Sequence, residues 1–217
     1  MAPAERGAFA FVFDALPAER DFVLRTYPLV AAPLLLVLMG ADASTVEGEG
    51  LYALLLFAPG AYLPFVLMHV PTTATPAARW VLDTAPVDPR DEDAGARKAV
   101  AVRLLLPLYL GVGALVAALA SPGLALRLWP VALASGLVAL RLLWGPGGPR
   151  PLSTQAQELQ SAWEGGLAGH LLTVSIAMTL LAVLCWQKLP SPAPGWALLA
   201  VLVALGVATR SRTRAAA

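Results

Sequence analysis

The sequence has few charged residues and only one cysteine. Asp, Glu, Lys and Arg make up 13% of its 217 residues, about half the share found in an ordinary soluble domain. Hydrophobic residues make up 58%, more than a globule of this size can bury. The lone cysteine, Cys185, excludes an internal disulfide framework, and its apolar surroundings predict a passive thiol. A lipid bilayer is therefore the expected solvent for much of the chain.

Several chemical signatures are also missing. No Asp or Glu lies within the long apolar stretches, which weighs against a proton- or sodium-coupled transporter. His69, His170 and Cys185 have no metal-ligand spacing. The chain has no phosphate-binding loop, since no G-x-x-x-x-G-K-[ST] occurs. These absences predict a protein without enzymatic activity, metal or cofactor, and no nucleic-acid partner is expected.

The apolar stretches predict an all-α, polytopic membrane helix bundle with six transmembrane helices. A helix that crosses a bilayer needs about 20 mostly apolar residues. The last stretch is the weakest, because its strongly apolar part covers only Trp196 to Ala208. The predicted spans are residues 22–41, 51–70, 100–120, 124–144, 166–186 and 192–209.

The basic residues predict the orientation of these spans. Thirteen of the 15 Lys and Arg residues fall on one side, and only Arg127 and Lys188 fall on the other. Because short loops rich in Lys and Arg mark the cytoplasmic side, we expect both termini and the loop of residues 71–99 to be cytoplasmic. The charged first 25 residues leave no room for a signal-peptide core. We therefore expect an integral membrane protein of the bacterial plasma (inner) membrane.

Two polar segments flank the predicted membrane domain of residues 22–209. Residues 1–21 form an arm in which Phe9, Val12, Phe13 and Leu16 follow helical spacing. This stripe predicts either a helix lying in the membrane interface or a short helix packed on the cytoplasmic loops. Residues 210–217 form a basic cytoplasmic tail.

The 71–99 loop carries helix-capping signals. Thr75 followed by Pro76 predicts a short helix that ends near Asp83 and Thr84. Asp88 followed by Pro89 predicts a second start, from which a helix can continue without a break into the third span. An exposed helix bearing Trp80 suits either the lipid headgroups or a partner protein.

These features resemble the type-two ABC exporter permeases, the membrane subunits of ABC transporters. In that family an interfacial N-terminal helix precedes six spans, and a short coupling helix between the second and third spans fits into a cleft of the ATPase subunit. Here the corresponding elements look like Arg79-Trp80-Val81-Leu82, then Pro86-Val87, then Gly95 with Lys98. Thr72 to Thr75 stand where the family usually has a glutamate. Arg25-Thr26-Tyr27-Pro28 and Ala78-Arg79-Trp80 look most like the C-terminal half of larger permease-like proteins.

The resemblance implies a non-catalytic membrane subunit of an ATP-driven exporter. The implied partners are a separate ATP-hydrolysing subunit, the lipid bilayer and a second permease in a homo- or heterodimer. The residues implied to contact the ATPase are Arg79, Trp80, Leu82, Pro86 and Val87.

Two other classes compete with this interpretation. The first alternative is a membrane scaffold or assembly protein without transport activity. A more distant one is an intramembrane serine protease using Ser135 and His170. The predicted topology disfavours the protease, because it puts the two residues at different depths.

Overall fold

The structure is a computed structural model that describes residues 1–39, 45–84, 88–144, 150–155 and 167–215. These residues fold almost entirely into helices, and the pairing closest to a strand among them is a single bridge between Thr72 and Thr154. The all-α prediction is confirmed. The α-helices are α1 (Pro3–Ala15), α2 (Arg20–Leu38), α3 (Val46–Ala61), α4 (Leu63–His69), α5 (Trp80–Asp83), α6 (Pro89–Val100), α7 (Leu106–Leu119), α8 (Pro122–Trp144), α9 (Leu167–Lys188) and α10 (Ala193–Ala215).

Five helical stretches are long and apolar enough to cross a membrane. They correspond to the first five predicted spans, although their ends differ by several residues. The predicted sixth span falls on α10, whose apolar portion in the described side chains, Ala193–Ala204, is shorter than a full crossing. The five stretches are Arg20–Leu38, Val46–His69, Pro89–Leu119, Pro122–Trp144 and Gly169–Lys188.

The helix α8 lies at the centre of the bundle. It packs against α3, α7 and α10, while α9 packs mainly against α3 and α2 against α7. Glycines allow several of these approaches, because a side chain at Gly50 would meet Trp186 and one at Gly195 would meet Val131. Small residues at helix contacts are typical of packing in membranes, where the lipid offers no hydrophobic driving force.

Tyr109 fills the middle of this packing. Its side chain is fully buried, and its hydroxyl lies between α3 and α8. A Cβ atom at Gly60 would come within 3.0 Å of the hydroxyl oxygen, and one at Gly136 within 2.5 Å. The two glycines thus provide the space that one large aromatic side chain occupies.

Prolines explain where the long helices deviate from regular geometry. The second stretch is interrupted at Tyr62, one residue before Leu63-Pro64 begins α4. The third contains a π-helical section, Ala101–Leu105, in which the Leu106 N–H donates to the carbonyl of Ala101 five residues back. Pro107 follows directly and cannot donate to the carbonyl of Arg103. The wider turn accommodates this proline without breaking the helix.

Candidate functional site

The polar segments meet in one layer, which we call the polar layer. It comprises residues 1–19, 70–84, 88–100 and 150–155, and these segments contact one another through hydrogen bonds, ion pairs and helix packing. The layer lies where α2 begins and where α4 and α8 end, so it caps one end of the helix bundle. It contains the segment whose sequence resembles a coupling helix.

The short helix of this layer presents a tryptophan on the surface. The chain from Pro76 to Arg79 is a 3-10 turn that continues into α5, as the Thr75-Pro76 signal predicts. The helix ends at Asp83, and both the N–H and the hydroxyl of Thr84 bond to the Trp80 carbonyl. The Trp80 side chain is 64% exposed. A large exposed aromatic on an ordered helix is a typical anchor for a binding partner.

Arg79, the neighbour of Trp80, is buried instead. Only 4% of its surface is exposed, and its guanidinium contacts three groups of this chain. It forms ion pairs with Asp83 at 3.1 Å and with Glu92 of α6. It also donates to the carbonyl of Pro151 at 2.5 Å. One planar guanidinium therefore fastens the short helix to α6 and to the 150–155 segment.

The 150–155 segment is held in place by backbone bonds to the end of the second span. The Leu152 N–H donates to the Val70 carbonyl at 3.2 Å, and the Thr73 N–H donates to the Thr154 carbonyl at 3.1 Å. Leu152 has a φ of 57°, a left-handed conformation that costs a non-glycine residue about 1 kcal/mol. Its side chain is buried, and this burial offsets the backbone strain. The result is a fixed Pro151 carbonyl directed at Arg79.

Glu19, between α1 and α2, supports the start of the short helix. Its carboxylate accepts from the Thr73 hydroxyl at 2.8 Å and from the Ala74 N–H at 3.1 Å. The segment 72–75 has no acidic residue of its own. A carboxylate from a distant part of the sequence therefore accepts the hydrogen bonds that this segment donates.

The helix α6 links the polar layer directly to the membrane domain. Asp88 caps it by accepting from the Arg90 N–H at 2.8 Å, and the helix continues through Ala101–Leu105 into α7. Both features confirm the prediction from the Asp88-Pro89 signal. Through Glu92, Arg79 therefore contacts a helix that continues to Leu119.

The N-terminal helix α1 lies on α6. Gly95 has so little space that a Cβ atom there would be 2.4 Å from the Glu5 carbonyl oxygen, and the Glu5 carboxylate pairs with Lys98. Arg103 also stacks over the Phe13 ring at 4.8 Å. The arm is thus a helix packed on α6, and whether it also lies in the membrane interface stays a prediction. Gly95 and Lys98 of the family-like motif both serve this contact.

The predicted contact residues are thus separated by the structure. Trp80 lies on the surface, whereas Arg79 faces the interior and positions the helix that carries Trp80. Leu82 belongs to α5, but its side chain lies outside the described part, as do Pro86 and Val87 entirely. Sequence reasoning missed Glu19, Glu92 as the partner of Arg79, and the Pro151 carbonyl. Nothing local marks them, because their partners lie 13 to 72 residues away.

The other candidate sites are Ser135, from the serine-protease alternative, and the possible metal ligands. The Ser135 hydroxyl donates to the Ala132 carbonyl of its own helix at 2.8 Å. In the part of the chain that the structure describes, no group of three or more His, Cys, Asp or Glu side chains could hold a metal ion.

Comparisons with known proteins give no further guidance to function. No protein-family model, no curated protein and no solved structure matches this chain.

Proposed function

We propose that this chain is the non-catalytic membrane subunit of an ATP-driven exporter. In this proposal a separate ATP-hydrolysing subunit binds the polar layer on the cytoplasmic side. The observation that supports it most directly concerns two adjacent residues. Trp80 is exposed, while Arg79 beside it is buried and forms an ion pair with Glu92 of α6. The surface contact and the transmembrane helix are joined through one side chain.

The mechanism follows from this connection. When the ATPase subunits close on ATP, they push on the short helix around Trp80. Because Arg79 ties that helix to Glu92, the push is transmitted to α6 and along it to α7. The π-helical section at Ala101–Leu105 is the natural point for a change of direction, since such irregular turns are frequent at functional positions. Tilting of α7 against α8 then opens a path through the membrane.

Transport between two protomers requires a dimer, and α9 offers a surface for one. Four apolar side chains lie exposed along it at intervals of four residues, so they form one stripe on the helix. A second permease of this kind would bury the stripe. The residues are Leu172, Ile176, Leu180 and Leu184.

The proposal is tested by Trp80→Ala. The tagged full-length chain is purified from its native membranes in mild detergent, and ATP hydrolysis is measured in the eluate. Since the chain has no phosphate-binding loop, any ATPase activity belongs to a partner. We expect activity with the wild-type chain and a loss of at least about tenfold with Trp80→Ala, because removing a central aromatic anchor commonly costs 2 kcal/mol or more.

Arg90→Ala is the matched control, because Arg90 is an exposed residue of the same layer and should leave the activity unchanged. Equal ATPase activity with Trp80→Ala and Arg90→Ala would refute a contact at Trp80. An eluate from wild-type membranes that contains partner proteins but hydrolyses no ATP would favour the scaffold alternative.

A further inference from the structure

A second charged site lies where α6, α8 and α10 come together. These helices enclose a partly open cavity of about 240 Å³, which we call the basic cleft. Three basic residues line it toward the polar layer: Arg97, Lys98 and Arg141. The other walls are apolar and include Leu137, Val138, Leu202 and Val203. The cleft therefore combines a cationic rim with a hydrocarbon wall.

Among the residues that the structure describes, the positive charge of the rim is only partly neutralised. Lys98 is paired with the Glu5 carboxylate. Neither Arg97 nor Arg141 makes an ion pair with any residue that the structure describes, and the two repel each other electrostatically. Asp93, one turn before Arg97 on α6, is the acidic group that attracts it. Arg97 is thus attracted by one carboxylate and repelled by Arg141, beside apolar walls that strengthen both interactions.

The position of the cleft matches the boundary between headgroups and acyl chains. Arg141 lies three residues before the end of α8, about 5 Å along the helix axis from the end that meets the polar layer. The apolar walls continue from there toward the middle of the bundle. Val138 and Val203 are 38% and 58% exposed, so the walls open sideways to the surroundings of the bundle, which in a membrane are lipid.

The helix α10 packs closely on α8 at its start but is separated from α8 by the cleft further along. At its start α10 fits closely onto α8, since Gly195 lies against Val131 and Trp196 contacts Trp129. Further along, at Leu202 and Val203, the cleft separates α10 from α6 and α8. A molecule in the cleft would complete the packing of the last helix.

We propose that the basic cleft binds an anionic phospholipid of the bilayer. Its phosphate oxygens bond to the Arg97 and Arg141 guanidinium groups, and an acyl chain lies along the apolar walls. Guanidinium groups suit phosphate because they donate two parallel hydrogen bonds, and basic pockets between transmembrane helices recognise anionic headgroups. The assignment does not depend on the ATPase partner, only on insertion of the chain in a membrane.

The test compares lipids on the purified full-length chain. Protein in mild detergent is given phosphatidylglycerol, phosphatidylcholine or inorganic phosphate, and retained lipid is counted by native mass spectrometry. We expect the wild-type chain to retain phosphatidylglycerol selectively. The double substitution Arg97→Gln with Arg141→Gln should weaken retention about thirtyfold, the effect of removing two basic groups beside an anionic headgroup.

Arg20→Gln with Arg90→Gln is the charge-matched control, because both residues are exposed and lie outside the cleft. It should retain the lipid like the wild type. Leu202→Trp tests the site without changing any charge, since the larger side chain fills the apolar half. It should lower retention while the protein stays monodisperse. This second variant keeps the test decisive if the double substitution impairs folding.

Three results would overturn the proposal. Equal retention by the cleft variants and the charge-matched control would show that lipid binds elsewhere. Equal retention of phosphatidylcholine and phosphatidylglycerol would exclude recognition of the negative charge. Displacement of phosphatidylglycerol by millimolar inorganic phosphate would assign the cleft to a soluble anion instead.

Discussion

Arg79 and Glu92 form an ion pair between the short helix and α6, with Arg79 buried and Glu92 partly buried, and this pair joins the exposed Trp80 to a helix long and apolar enough to cross a membrane. The two residues are 13 positions apart in the sequence. Their contact fixes the short helix against α6.

Arg79→Gln should destabilise the polar layer. The substitution leaves the partly buried Glu92 and the Pro151 carbonyl without their donor, and the cost should be at most about 3 kcal/mol, the lower end of the range for a fully buried pair. We expect a lower unfolding temperature in detergent and rapid proteolysis between residues 76 and 90. Arg79→Lys should not restore stability, because an ammonium cannot reach three acceptors at once. Arg90→Gln, at an exposed position, should leave both measurements unchanged.

Gly95→Ala should release α1 from α6. A Cβ atom at this position would lie 2.4 Å from the Glu5 carbonyl oxygen and 2.9 Å from the Phe9 nitrogen, so the backbones must separate. We expect a cost of about 1–3 kcal/mol, as for other overpacked contacts. Faster hydrogen exchange of residues 3–15 would report the release. Gly7→Ala is the matched control in α1, since its Cβ would meet nothing within 4 Å. Slow exchange in both variants would contradict the predicted release.

Gly136→Ala should disturb the centre of the bundle. Its new methyl group would lie 2.5 Å from the Tyr109 hydroxyl, which already lies close to Gly60 on its other side, and Tyr109 is fully buried. The free energy of unfolding of the detergent-solubilised chain is expected to fall by about 1–3 kcal/mol, with a lower unfolding temperature. Gly169→Ala in α9 has open space around its Cβ and should change stability little. Similar unfolding temperatures for the two variants would show that the helices adjust without cost.

Ile176→Cys should crosslink two copies of the chain if α9 forms the dimer contact. The experiment uses a Cys185→Ala background, which removes the only native cysteine. Residues near a two-fold axis meet their own counterparts, so a short bismaleimide applied to native membranes should give a band of dimer size. Leu126→Cys is the control, at a similarly exposed position on α8. Crosslinking at both positions, or at neither, would argue against a specific contact through α9.

The helical character of the protein could be predicted from the sequence because it follows from local properties. The bilayer demands about 20 apolar residues per crossing, and such runs can be read directly from the order of residues. The starts of two further helices were predictable for a similar reason. Pro76 acts through its fixed backbone angle and Asp88 through a side-chain cap on the Arg90 N–H two residues on, so both signals depend only on immediate neighbours.

The arrangement of the polar layer could not be predicted from the same information. Arg79 was expected on the surface with Trp80, because adjacent residues in a short helix carry no sign of which one faces inward. Its orientation depends on the Pro151 carbonyl, which lies 72 residues away. Glu19 likewise reaches Thr73 across 54 residues. Each contact exists only after the membrane helices have brought the segments together.

The sequence by itself determined that this chain is helical, suited to a membrane, and provided with a polar loop whose second helix continues into the third span. These properties depend on composition, apolar run length and helix caps, all of which act over a few residues. The tertiary structure alone decided that Arg79 is an internal anchor, that α1 packs on Gly95, and that Arg97 and Arg141 share one cleft. Those outcomes depend on which helix faces meet, and burial and charge take their effect only once the faces are in contact.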